Sequence, residues 1–239
     1  MKDVMIDLET CGTAPGSVIL SIGAVGFDPE SGKLGPEFYN VISAGTSIAS
    51  GLSLDYKTML WWSGQSAEAR EVLKAAASPG LYGQAYDIWV VLTNFTTYLS
   101  QFGKDVRVWG NGAAFDNVLL QEAYRRAGRA PAGWSFHNDR CYRTLKSLFP
   151  YIKLTRVGTH HNALDDAKSQ ALHAVALLQH LDKLQHTRET GYAAVVQLER
   201  TVAGCNEAHE PNEATVAALE AAERGDTQPI GDLLNKDVP

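Results

Sequence analysis

The sequence predicts an α/β protein, a mixed sheet flanked by helices. Three observations lead there. The chain opens on a short apolar run that ends in acids, Val4-Met5-Ile6-Asp7-Leu8-Glu9. Two further strand-like runs follow at hairpin distance, joined across Pro29-Glu30-Ser31-Gly32. Beyond residue 54, segments with helical periodicity alternate with another short apolar run.

Each element has its own reason. Val4, Met5 and Ile6 read as a buried strand ending at Thr10-Cys11-Gly12. Residues 18–28 form a long apolar strand and 37–42 a third, so a meander follows the first strand. Residues 45–51 read as a loop. Residues 54–65 read as a short helix carrying Trp61 and Trp62, and 67–77 as a second, ended by Ser78-Pro79-Gly80. Val91, Phe95, Tyr98, Leu99 and Phe102 recur at helical spacing, which predicts an amphipathic helix over 88–102. Residues 106–109 are a fourth strand, turned by Gly110-Asn111-Gly112. Helices are expected over 114–127 and over 140–149, the latter closed by Pro150, then a loop over 155–160. A long helix over 163–185 presents Ala167, Ala171, Ala174, Val175, Leu178 and Leu181 inward. From about residue 187 the character changes, with a polar stretch containing Pro211 and an Ala/Glu-rich segment over 213–224. One domain over 1–187 and a helical extension over 188–239 are therefore expected.

Composition narrows the function classes. The apolar runs are too short to span a bilayer, and the N-terminus lacks a secretory pattern, so no membrane association and a cytoplasmic location are expected. Cys11, Cys141 and Cys205 are scattered and odd in number, which points to neither a disulfide framework nor a zinc site. A net charge of −6 argues against broad binding to a polyanion. Locally the picture differs: Arg140, Arg143, Lys146, Lys153 and Arg156 fall in a stretch with no acid. That strip suits either a solvated surface or contact with phosphates.

The acids carry the chemistry. On a strand Asp7 and Glu9 point to the same side. Two adjacent carboxylates at a buried strand end either hold a hard cation such as Mg²⁺ or Mn²⁺, or one is protonated, or both are solvated. Asp116 follows a glycine turn at the start of a helix, where it suits the helix dipole or joins the first two acids. In His160-His161-Asn162-Ala163-Leu164-Asp165-Asp166, Asn162 is an N-cap and Asp165 sits in the first turn. Asp166 lies about 100° further round the helix. His161 precedes the cap, as an inert loop residue or, beside carboxylates, as a general base.

These stretches resemble the three motifs of the DEDDh superfamily of 3′–5′ exonucleases: Asp7-Leu8-Glu9-Thr10, Phe115-Asp116, and His161 through Asp166 with four residues between. Ile19 to Val25, Trp61 to Ser66 and Trp109 to Gly112 resemble a bacterial and phage subfamily of exoribonuclease and exodeoxyribonuclease VIII type. The resemblance covers roughly residues 1–182. It implies a ribonuclease H-like fold with a mixed five-stranded sheet, two divalent ions (Mg²⁺ or Mn²⁺) on Asp7, Glu9, Asp116 and Asp166, and His161 as base. The implied reaction releases nucleoside 5′-monophosphates from single-stranded DNA or RNA 3′ ends. Relatives of this fold are often dimers, so a homodimer is an open expectation. Trp61, Trp62 and Phe115 are candidates to stack on bases, Thr10 to meet the terminal sugar, and Arg140, Arg143 and Lys146 to meet phosphates. The alternative is a weakly catalytic nucleic-acid-binding or interaction protein on the same fold.

Overall fold

A computed structural model describes residues 1–78, 85–128, 132–203, 216, 217 and 220. The chain divides into two compact units, Met1–Gln179 and His180–Pro239.

The first unit is built on β1 (Asp3–Thr10), β2 (Ile19–Phe27), β3 (Leu34–Ile42), β4 (Ala85–Tyr86), β5 (Arg107–Gly110) and β6 (Asp139–Cys141). They lie in the order β4-β3-β2-β1-β5-β6. The first three are antiparallel neighbours, and β1–β5, β5–β6 and β3–β4 are parallel. The sheet is mixed, as predicted, with six strands among the described residues against the five expected. The two strands that the sequence reading did not place, β4 and β6, are two and three residues long, too short to carry a period-2 pattern. The segment read as a helix from 140 begins instead as β6. Asp139 pins it to the sheet edge, its Oδ1 accepting from Asn117 Nδ2 (2.7 Å) and Trp134 Nε1 (2.8 Å).

Strand alternation sorts β1. Val4, Ile6 and Leu8 enter the main core with α4 (Ile88–Ser100), through Val91, Leu92, Phe95 and Leu99, and with α5 (Asp116–Arg126), through Leu119, Leu120 and Ala123. Asp3, Met5, Asp7 and Glu9 face the other side. The stretch read as a loop at 45–51 is α1 (Ala44–Ala49), capped by Ser43, whose side chain accepts from the Thr46 amide, and followed by Gly51 at φ 84°. Its few apolar residues gave no periodic signal. α2 (Tyr56–Ser63) is capped by Asp55. α3 (Glu71–Ala77) starts four residues later than predicted, and Pro79 and Gly80 lie outside the described residues. α6 (Tyr142–Leu148) follows β6.

α7 (Ala163–Ala203) is far longer than predicted, and its residues from His180 on belong to the second unit. Asn162 caps it, Oδ1 accepting from the amides of Leu164 (3.1 Å) and Asp165 (3.2 Å). Its buried residues Ala163, Ala167, Ala171 and Ala174 are small, which allows close approach. Of the predicted 213–224 helix only 216, 217 and 220 are described, and they are helical. Cys11 and Cys141 are free thiols, and Cys205 lies outside the described residues.

Candidate active site

The site forms where α7 starts beside the end of β1. Gly23 on β2 pairs with Asp7 and makes this possible. A Cβ on Gly23 would lie 2.1 Å from the Ala163 carbonyl carbon, so only glycine admits the helix start at that distance. A second glycine acts likewise on the other side. A Cβ on Gly110 would lie 2.4 Å from Asn117 Oδ1 and 3.0 Å from Asp116 Cβ. The Asn111 amide after that turn donates to Asp116 Oδ2 at 2.7 Å.

The result is a cleft of about 220 Å³ whose lining includes Asp7, Glu9, Asp166, His161, Arg156 and Gln170. Carboxylate oxygens of Asp7, Glu9 and Asp166 lie within 4.8 Å of one another, and so do donor atoms of His160, His161 and Asp166. Asp116 stands outside both groups, buried to 2% exposure. Asp165 belongs to neither group and accepts from the Thr159 amide at 2.7 Å.

Electrostatics mark the cluster as charge-deficient. Burial, then the charges of Asp116 and Glu9, push the Asp7 carboxyl well above the usual range, and the hydrogen bond from Gln170 acts against them. Burial, then repulsion from Asp166 and Asp116, lifts Glu9 to about 8. Burial lifts Asp116 to about 7, opposed by amides at Asn111, Asp116 and Leu8 and by Arg143. Asp166 has a cation of its own: Arg156 Nη1 donates to its Oδ1 at 2.5 Å. Hard oxygens crowded this closely fit a divalent cation.

His161 is the one non-glycine residue at positive φ among the described residues, at 63°. Its amide donates to Asp166 Oδ2 at 2.9 Å, and its ring meets Trp61 edge-on at 5.2 Å and stacks on His160 at 3.8 Å. Burial and His160 lower its pKa, partly offset by Asp166.

The candidate substrate contacts separate. Trp61 is 46% exposed beside His161. Trp62 is 1% exposed and donates to the Thr10 carbonyl at 2.9 Å, so it presents no face to a ligand. Thr10 is buried, its hydroxyl donating to the Gly12 carbonyl. Phe115 packs partly buried on the core. Arg140 donates to the carbonyls of His137 and Asp139, away from the cleft lining. Arg143 donates to the Asn111 carbonyl at 2.5 Å, close to Asp116, and Lys146 lines the cleft. Sequence reasoning missed Gln170 and did not single out Arg156. For Gln170 a signal existed, since a residue four after Asp166 shares its helix face.

With this geometry in place, sequence comparison decides the family. The family model described as "3'-5' exoribonuclease Rv2179c-like domain" matches residues 2–178. The chain belongs to that family. No curated protein matches the chain. Escherichia coli exonuclease I in complex with a dT13 oligonucleotide shares the fold with a TM-score of 0.53 at 15% identity, over 79% of this chain and 43% of that one. The present chain thus spans less than half of exonuclease I. The nuclease domain of 3′hExo, a DEDDh family member bound to rAMP, matches with a TM-score of 0.50 at 15% identity, over 74% of this chain and 91% of that one. The fold is ribonuclease H-like, as the resemblance implied, and it is shared with the nuclease domain of that DEDDh family member. Among the described residues no helix is long and apolar enough to cross a membrane.

Proposed function

We propose that this Rv2179c-like domain is a metal-dependent 3′–5′ exonuclease that releases nucleoside 5′-monophosphates from single-stranded 3′ ends and overhangs. The observation that carries the reading is the convergence of Asp7, Glu9 and Asp166 oxygens within 4.8 Å in a cleft that His161 also lines. The family's description supports RNA as the substrate. DNA is the competing polymer, since exonuclease I was solved with dT13.

The donor set is made of carboxylate oxygens, two of them on groups that burial and mutual repulsion hold short of compensating charge, and it fits Mg²⁺ or Mn²⁺. Asp7 with Glu9 and Asp166 would hold one ion, and Asp7 with Asp116 a second. Bound ions supply a lowered pKa for water and positive charge for the phosphate. The chain's own residues do the rest. His161, with its pKa held down, is neutral near pH 7 and accepts a proton from the attacking water. The Asp166 carboxylate, bonded to the His161 amide, ties that ring's backbone to the acids. Lys146 and Arg156 on the cleft lining draw in the phosphodiester. Trp61 offers a half-exposed indole for the terminal base.

A digestion time course tests this with Mg²⁺ or Mn²⁺ and 5′-labelled single-stranded RNA and DNA of one sequence, each beside its duplex with a 3′ overhang. The expected result is a ladder shortening from the 3′ end with mononucleotide products, faster on RNA. Asp7→Asn should abolish it with the circular dichroism spectrum unchanged. Parental activity in pure Asp7→Asn protein, or release of fragments longer than mononucleotides from the 3′ end, would overturn the assignment.

A further inference from the structure

Asp166 and Gln170 are one helical turn apart on α7, so both side chains reach the cleft from the same helix face. They do different things there. Asp166 joins the carboxylate cluster, while Gln170 reaches past it to β1, its Nε2 donating to Asp7 Oδ1 at 2.7 Å. The bond spans 163 residues of sequence and ties the long helix to the first strand at the acid that the proposed chemistry uses most.

The other end of the same amide is unusual. Gln170 is 6% exposed, and its Oε1 is buried with no hydrogen-bond partner among the described residues. A buried acceptor without a donor is destabilising. For packing alone a leucine or methionine would fill the space without that defect. The side chain therefore makes sense through its N–H group, which Asp7 needs. With Oδ1 held by the amide, the Asp7 carboxylate is held in one orientation beside Glu9 and Asp166. We infer that Gln170 is the positioning residue for Asp7, fixing the carboxylate in the orientation that receives a divalent cation. The inference rests on the exonuclease reading of this cleft. It assigns Gln170 no contact with the nucleic acid and no part in proton transfer.

The role has a known scale. Removing the hydrogen-bond partner of a metal ligand weakens metal binding by about 10–100-fold. The test is Mn²⁺ binding measured by calorimetry or electron paramagnetic resonance on the full chain without nucleic acid. It compares the parent with Gln170→Met and Gln170→Leu, with the metal-free thermal midpoint as the folding control. Expected is a Mn²⁺ Kd weaker by about tenfold or more in both variants. The KM for oligonucleotide at saturating Mn²⁺ should stay at the parental value. kcat should fall at low Mn²⁺ and recover as Mn²⁺ is raised, a rescue that a packing defect would not show. Parental Mn²⁺ affinity in either folded variant overturns the inference and leaves the exonuclease reading standing. A parent that binds no Mn²⁺ overturns both. A measurement needing no variant is the Gln170 side-chain amide resonance in ¹⁵N-labelled parent. It should shift on Mg²⁺ titration with the midpoint of Mg²⁺ binding, and an unmoved resonance also refutes the assignment.

Discussion

Replacing Gly23 by alanine probes the whole arrangement with one methyl group. The added Cβ would lie 2.1 Å from the Ala163 carbonyl carbon and 2.2 Å from the Leu164 nitrogen, and both are backbone atoms that no rotamer change can move. Ordinary contacts start at 3.4 Å, so the start of α7 must retreat by about 1.3 Å or the sheet must bend by as much. Asp166 rides on that first turn, and Asp7 sits on β1 directly opposite Gly23. Overpacking of this kind costs about 1–3 kcal/mol of stability. A displacement near 1 Å at reacting groups costs about 10²-fold in rate. Gly23→Ala should therefore lower kcat on 5′-labelled RNA by about 10²-fold and weaken Mn²⁺ binding, with a urea midpoint reduced to match about 1–3 kcal/mol. Gly45→Ala is the control. A Cβ there meets nothing nearer than Ser43 Oγ at 3.7 Å, and in the first turn of α1 it should be neutral or stabilise by up to about 1 kcal/mol. Parental rate and Mn²⁺ affinity in Gly23→Ala would refute the view that the glycine sets the gap between helix and sheet.

Three further outcomes follow from the same geometry. Glu9 and Asp116 have folded pKa values of about 8 and about 7, above their ordinary 4.5 and 3.8. A carboxyl raised in this way stabilises the fold below its unfolded pKa and loses that contribution as pH rises through the folded value. The metal-free thermal midpoint should accordingly fall between about pH 5 and about pH 9, while the increase caused by Mg²⁺ grows over the same range. A Mg²⁺ effect independent of pH would contradict the placement of these acids. The adjacent tryptophans should part company. Trp61→Ala should raise KM for oligonucleotide by the loss of about 1–3 kcal/mol of stacking with little change in stability. Trp62→Ala should lower the urea unfolding free energy by about 3–5 kcal/mol. Far from the cleft, Asp3 is 1% exposed and accepts from Arg107 and from Trp109 Nε1 (2.8 Å). Asp3→Ala strands the indole N–H and should cost about 1–3 kcal/mol in denaturant titration, with kcat per folded molecule unchanged.

Local rules settled much of this protein before any tertiary contact. The alternation that puts Asp7 and Glu9 on one side of β1 follows from two-residue strand periodicity, and the Asn162 cap and the separation of Asp165 from Asp166 follow from helix geometry. The candidate catalytic residues could be proposed from their motifs, because those residues occur in short runs whose spacing survives in the sequence. Elements without local periodicity stayed hidden. β4 and β6 exist because longer strands offer them an edge, and α1 because Ser43 and Gly51 bracket six residues with little apolar patterning. Other assignments depended on what meets across the fold. Trp61 and Trp62 are alike in sequence, yet the packing of α2 against β1 buries one and leaves the other beside His161. Arg156 belonged to a basic strip, and only the fold pairs it with Asp166. Gly23 reads as one more small residue in a strand until α7 is laid across it. Gln170 reads as one more polar helix residue until β1, 163 positions earlier, brings Asp7 to its amide. Periodicity and capping are properties of neighbours in the chain, so the sequence alone determined them. Burial, charge pairing and the raised pKa values of the acids are properties of neighbours in space, and only the tertiary structure decided those.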